Sequence, residues 1–191
     1  MFFDRKHGDI DPMIDQLPSV VVVMGLPGSG KTYLASRLAR VLSAAHISSD
    51  QVRTEHRWRG KYAPEDKLRV YQWMMEQADG VLREGQSVIL DATFHRRAYR
   101  TLAEELATEG SYPLHYIEVV ADDAITRART NRHRPDSEAN YAVYRKLRRE
   151  AEPLEQPHLR LDSSQQSEGI LLQTTLDYLT DDFPPVSATA H

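Results

Sequence analysis

Eight consecutive residues carry the sharpest chemistry in this chain: Gly25-Leu26-Pro27-Gly28-Ser29-Gly30-Lys31-Thr32. They fit G-x-x-x-x-G-K-[ST], a loop that cradles phosphate. Its glycines let the backbone curl so that successive N–H groups face phosphate oxygens. Lys31 is positioned to reach the β- and γ-phosphates of ATP or another nucleoside triphosphate, and the Thr32 hydroxyl to enter a Mg²⁺ shell. The predicted nucleotide contacts are Gly25, Gly28, Ser29, Gly30, Lys31, Thr32 and Tyr33. A Gly-rich turn that binds nothing is the alternative. The flanks oppose it, because a valine-rich run precedes the loop and a helix-period segment follows.

Carboxylates beside such a loop have two possible tasks. They hold Mg²⁺, directly or through water, or they accept the proton of an attacking hydroxyl. Asp91 ends the apolar run Val88-Ile89-Leu90 and reads as the metal or acceptor ligand; Asp50 ends another run, with Arg53 three residues on, and reads as the hydroxyl-orienting base. A helix cap is the competing role for Asp50, since Ser49 and Asp50 both cap well. From Arg53 to Tyr62, three arginines, a lysine and two large aromatics fall within ten residues. That mixture suits an acceptor carrying phosphate, or a base stacked on Trp58. The competing reading is a solvated helix face with Trp58 packed inward. Arg127, Arg129, Arg132 and Arg134 form a second basic segment, suited to a lid that neutralises phosphoryl charge as it closes. Arg129 is the expected nucleotide contact and Arg132 the expected catalytic arginine. The histidines have no metal-binding spacing and read as surface or packing residues.

These groups need a frame that brings them together. Strands are expected at 19–24, 45–48, 87–91, 114–120 and 159–162. Helices are expected at 33–43, 51–58, 65–84, 96–108, 122–130, 137–152 and 167–179, with Asp122 as a cap. Strands alternating with helices imply βαβ crossovers and a parallel sheet covered on both faces. Ligands of such sheets bind beyond the carboxyl ends of the strands. The loop, Asp50 and Asp91 all fall at such ends.

Composition limits the rest. The 191 residues suit one domain. The balance of 24 basic against 28 acidic residues, a net charge of −4, opposes a globally basic nucleic-acid binder. The absence of cysteine excludes disulfides, thiolate metal sites and thiol nucleophiles. No apolar run approaches a membrane span, and the cytoplasm is the expected compartment.

The loop, then Ile47-Ser48-Ser49-Asp50-Gln51-Val52-Arg53, then Val88-Ile89-Leu90-Asp91-Ala92-Thr93, then the arginine-rich segment, together resemble small P-loop kinases of the adenylate-kinase-like branch. The likeness is greatest to AAA_33-type kinases and to the 5′-kinase domain of phage polynucleotide kinase. It implies a three-layer α/β P-loop NTPase fold with a five-stranded parallel sheet of order 2-3-1-4-5 and an Arg-rich lid. It covers a kinase domain at about 19–180 with its lid at about 131–138; residues 1–18, polar with Pro12 and Pro18, read as an N-terminal arm, and 181–191 as a Pro-containing flexible tail. In the polynucleotide kinase an Asp-x-x-Arg follows strand two; its Asp activates a 5′-hydroxyl and its Arg holds the neighbouring phosphate. Asp50 and Arg53 match that pattern.

The resulting expectation is an ATP- and Mg²⁺-dependent phosphotransferase. Lys31, Asp50 and Arg132 are its catalytic residues; Asp50, Arg53, Asp91 and Trp58 contact the acceptor; Thr32 and Asp91 hold the metal. A polynucleotide 5′-hydroxyl leads as acceptor, followed by a small metabolite or an antibiotic. A nucleotide switch or mechanical ATPase, and a non-catalytic binding module, are the readings from other classes.

Overall fold

The computed structural model describes residues 17–131 and 140–181. The expected arm up to residue 16, the tail from 182, and most of the expected lid, including Arg132 and Arg134, lie outside the described residues.

Five strands form the sheet: β1 (Val20–Met24), β2 (Ala45–Ser48), β3 (Val88–Ala92), β4 (Leu114–Val120) and β5 (Leu159–Asp162). They are all parallel and lie in the order β2-β3-β1-β4-β5, as the resemblance implies. The helices are α1 (Lys31–Val41), α2 (Ser49–Glu55), α3 (Pro64–Arg83), α4 (Arg97–Gly110), α5 (Asp123–Thr130), α6 (Tyr141–Glu150) and α7 (Glu168–Asp181).

The central strand explains the layering. A strand flanked by parallel neighbours is covered on both faces, so it tolerates an unbroken apolar run. β1 is such a run, and all five of its residues are buried. Its side chains alternate between faces. Val20, Val22 and Met24 join Val88, Leu90, Val70, Met74 and Ala103 in a core beneath α3 and α4. Val21 and Val23 join Ile89, Ile117, Leu34, Leu38 and Leu171 in a second core beneath α1 and α7. Side chains of this size contribute about 1.5–3 kcal/mol each on burial. The two cores therefore fix where the carboxyl ends of β1, β2 and β3 lie.

Several boundaries differ from the sequence expectation for local reasons. α2 stops at Glu55 rather than Trp58, because Arg57 turns left-handed (φ 55°) and the Trp58 N–H donates back to the Arg53 carbonyl at 2.8 Å. α4 runs through Gly110, and Ser111 takes the left-handed position after it. α6 starts at Tyr141, where the Asn140 side chain accepts from the Val143 N–H at 3.1 Å. Asp122 precedes α5 but its carboxylate accepts no cap bond; its own N–H donates to Ser164 Oγ at 2.6 Å.

Candidate active site

The phosphate-binding loop joins β1 to α1. Two glycines make its path possible. A Cβ on Gly25 would run into the Val119 carbonyl oxygen of the neighbouring strand. Gly30 sits at φ 93° as the N-cap of α1, with no side chain to cap it. The first-turn N–H groups of α1 are thus left for an anion, the arrangement by which a helix N-terminus binds phosphate. Lys31 and Thr32 follow at once and line a cavity of about 560 Å³.

Asp50, from the first turn of α2, and Arg53, from its last, line the same cavity. The cap of α2 is Ser48, whose Oγ accepts from the Asp50 N–H at 3.3 Å. The Asp50 carboxylate has no capping task and faces the cavity. Burial is the largest influence on it and raises its carboxyl above the usual range; Lys31 opposes that rise, Asp91 adds to it, and Arg53 opposes it again. A carboxylate raised by burial and set against a cation is better suited to taking up a proton than a solvated one. Arg53 is held firmly. Its Nη1 donates to the Lys61 carbonyl at 2.8 Å, and its guanidinium lies 4.8 Å from the Tyr62 ring centre.

Asp91 is buried below the cavity lining and does not reach the acceptor space. Its Oδ2 lies 3.3 Å from His46 Nε2, and its Oδ1 is buried without a partner. An orphaned buried carboxylate oxygen signals a missing water or ion. A hydroxyl and a carboxylate oxygen are hard donors, and Mg²⁺ is usually held by one or two protein oxygens plus phosphate and water. Thr32, on the cavity wall, and Asp91, buried off it, each supply an oxygen donor of the kind such an ion takes. Among the described residues no group of three or more His, Asp or Glu side chains forms a closed metal centre.

The remaining wall comes from α3, the loop after β3, and α6. Tyr71, Thr93, His95, Lys67 and Lys146 line it. Phe94, between Thr93 and His95, is a buried non-glycine residue at φ 45°. Such strain persists only where surrounding bonds impose it. Here the Phe94 N–H donates to Tyr71 Oη at 3.0 Å and its carbonyl accepts from Arg100 Nη1 at 3.0 Å.

Two expected contacts lie elsewhere or act differently. Trp58 is not on the cavity wall. It stacks on His56 with ring centres 4.6 Å apart, lies under Arg69, and packs against the α3 core. Tyr62 takes the aromatic position beside Arg53. Arg129 reaches the loop's backbone: Nη1 donates to the Gly28 carbonyl at 3.1 Å and to Ser163 Oγ at 2.8 Å, and Nη2 to the Ser163 carbonyl at 3.2 Å. It ties the phosphate-binding loop to the turn after β5. Tyr33 borders the cavity and its hydroxyl donates to the Glu168 carboxylate. Arg132 lies outside the described residues.

Sequence reasoning passed over His46, Lys67, Tyr71, Thr93, His95 and Lys146. Thr93 and His95 carried one signal, their position just after a strand end. Lys67, Tyr71 and Lys146 carried none, because only helix packing directs them to the cavity.

Comparison with known proteins fits this geometry. Over 136 residues the chain is 27% identical to human 6-phosphofructo-2-kinase/fructose-2,6-bisphosphatase 1, covering 62% of this chain and 29% of that protein. It is 31% identical over 130 residues to an uncharacterized protein of Mycobacterium tuberculosis, covering 59% and 26%. The chain thus spans under a third of these curated relatives. Among solved structures it is similar to an unliganded sugar kinase from Janibacter sp. HTCC2649 (TM-score 0.67, 22% identity, 91% of this chain and 99% of that one). It is also similar to the Mycobacterium tuberculosis APS kinase in complex with AMPPNP and APS (TM-score 0.68, 18% identity, 85% and 97%). The fold is therefore that of the small P-loop kinases. The family model AAA_33, an AAA domain, matches residues 20–154. The chain belongs to the AAA_33 family.

Proposed function

We propose that the protein is an ATP-dependent kinase that moves the γ-phosphoryl group to a hydroxyl of a small molecule. One observation carries this reading: Asp50, relieved of capping by Ser48, lines the same cavity as Lys31 of the phosphate-binding loop. A carboxylate that activates water would serve an ATPase as well, so the acceptor panel below decides between the two.

In the proposed reaction the acceptor oxygen attacks the γ-phosphorus in line. A new O–P bond forms, the bond to the β–γ bridging oxygen breaks, and ADP leaves. The acceptor's hydroxyl proton passes to the Asp50 carboxylate. Lys31 offsets charge on the transferring group, and the N–H groups of the loop hold the phosphates. Holding the hydroxyl near phosphorus removes entropy from the barrier. Mg²⁺, which Thr32 and Asp91 would hold, supplies charge neutralisation at the phosphates. Arg129 keeps the loop and the turn after β5 in one arrangement. Arg132 remains a candidate for the cation of the closed state.

The polynucleotide 5′-hydroxyl implied by the Asp-x-x-Arg spacing has less support. Its stacking platform, Trp58, is engaged with His56 and the α3 core instead of the cavity. The test is incubation of the full chain with ATP, Mg²⁺ and a panel of small polyols, sugar acids and a 5′-hydroxyl oligonucleotide, read by ADP release and a mass gain of one phosphoryl group. Transfer to a small hydroxyl compound is expected. Transfer to the oligonucleotide alone would overturn the small-molecule assignment, and ADP release without any phosphorylated acceptor would overturn the kinase assignment.

A further inference from the structure

The cavity lining also holds Lys67, Lys146 and Arg53, and one carboxylate, Glu150, acts against the charge of both lysines. Lys67 is half-buried in the first turn of α3. Burial pushes its ammonium below the usual range, and Lys146, Arg96 and Arg53 push the same way. Glu150 acts in the opposite sense, but it is already bonded to Arg96 Nη2 at 3.1 Å. Among the described residues neither Lys67 nor Lys146 forms an ion pair. Arg53, whose Nη1 donates to the Lys61 carbonyl and whose guanidinium lies against the Tyr62 ring, lines the same cavity. Lys67 is half-buried and Lys146 exposed; cations brought together at one cavity repel one another, and an anion between them would relieve that repulsion.

The polar wall beside them is a neutral hydrogen-bonded chain. The Phe94 N–H donates to Tyr71 Oη, and the Tyr71 hydroxyl is hydrogen-bonded to the Thr93 hydroxyl at 3.1 Å. Thr93 Oγ1 in turn lies 3.1 Å from His95 Nδ1. His95 Nε2 is 4.0 Å from the Glu150 carboxylate and makes no hydrogen bond among the described residues. Thr93 lines the cavity between these two partners. That wall offers a ligand hydroxyl a neutral hydrogen-bonding partner and no second charge.

We infer that Lys67 and Lys146, together with Arg53, seat an acidic group of the acceptor, so that the substrate is a hydroxyl compound bearing a carboxylate, phosphate or sulfate. The inference rests on the kinase reading above for its use of the word substrate, and the anion seat itself is testable without turnover. The cationic seat fixes the acid group at one end, Thr93 takes a hydroxyl along the wall, and Asp50 faces the hydroxyl that attacks.

The first arm titrates sodium sulfate, at constant ionic strength, into the full chain saturated with ADP, so that the phosphate-binding loop is already filled. One sulfate is expected to bind. Lys67→Met and Lys146→Met each weaken it by about tenfold, the worth of one charge-assisted contact, while Lys67→Arg retains binding. Unchanged affinity in both methionine variants, or no binding to wild type, overturns the seat. The second arm compares each sugar acid with its matching neutral polyol as acceptor. Lys67→Met is expected to raise KM for the acid by about tenfold and to leave kcat and the ATP KM in place, as loss of uniform binding does. A wild-type preference for the neutral polyol overturns the inference and leaves the kinase reading standing. Sulfate binding that responds to the lysines, with no transfer to any acceptor, sustains the seat and overturns the kinase reading.

Discussion

Replacing Asp50 by Asn preserves the shape of the side chain and removes its charge and basicity. If Asp50 takes the acceptor's proton, kcat falls by about 10²–10⁴-fold, the range for a positioned general base. That corresponds to about 3–5 kcal/mol of barrier, at roughly 1.36 kcal/mol per decade. The ATP KM is expected to hold, because the loop contacts are untouched. Stability should move the other way. The folded protein raises the Asp50 carboxyl, chiefly by burial. An acid raised on folding binds its proton more tightly in the folded state, so its ionised form costs stability. That cost is absent below the unfolded value of about 3.9 and fully present above the raised folded value. At neutral pH, Asp50→Asn therefore melts no lower than wild type. A helix cap behaves oppositely. Its loss costs about 0.5–2 kcal/mol, and each kcal/mol lowers Tm by about 2–4 °C in a domain of this size. Ser48→Ala supplies that comparison, since Ser48 Oγ holds the Asp50 N–H. Steady-state kinetics and thermal melts of Asp50→Asn, Asp50→Ala and Ser48→Ala decide the matter. Near-wild-type kcat in Asp50→Asn, or an Asp50→Ala protein that melts as low as Ser48→Ala, would refute the reasoning.

Arg129→Met keeps the aliphatic stem and removes the bonds that tie the Gly28 carbonyl to Ser163. Affinity for a non-hydrolysable ATP analogue, measured by titration, is expected to weaken by about tenfold, the worth of one or two charge-assisted bonds; unchanged affinity would count against a role in organising the loop. His95 is pushed down to about 4 by burial first and then by Lys67 and Arg96, against the pull of Glu150 and Glu152. Neutral His95 thus contributes stability that is fully present above the ordinary histidine value of about 6.5 and is lost as pH falls toward the folded value. His95→Asn is expected to flatten the fall of Tm with acidification across that interval, and an unaltered profile would contradict the assignment.

Much of the frame was legible because each signal was local. The valine run of β1, the glycine-lysine-threonine loop and the strand ends at Asp50 and Asp91 are read from neighbouring residues, and the sheet order follows from the resemblance they carry. The acceptor side was not legible for a related reason. Trp58 reads as part of a basic-aromatic surface until the left-handed turn at Arg57 swings it onto His56 and α3. Lys67, Tyr71, Thr93, His95 and Lys146 come from three distant parts of the chain, and only packing of α3 and α6 around the strained Phe94 loop assembles them. His46 read as a packing histidine, yet parallel pairing of β2 with β3 sets it against Asp91. Contacts made across a sheet leave no spacing in the sequence.

The central claim is that Asp50 and Lys31 flank a space in which a hydroxyl, rather than water, receives phosphate. The most direct measurement is the partition of label from [γ-³²P]ATP between an acidic hydroxyl compound and inorganic phosphate, for the wild-type full chain and for Asp50→Asn. The account predicts that label goes predominantly to the compound in wild type and that Asp50→Asn abolishes this transfer. Label appearing only in inorganic phosphate across the whole acceptor panel, or transfer that survives in Asp50→Asn, would contradict it.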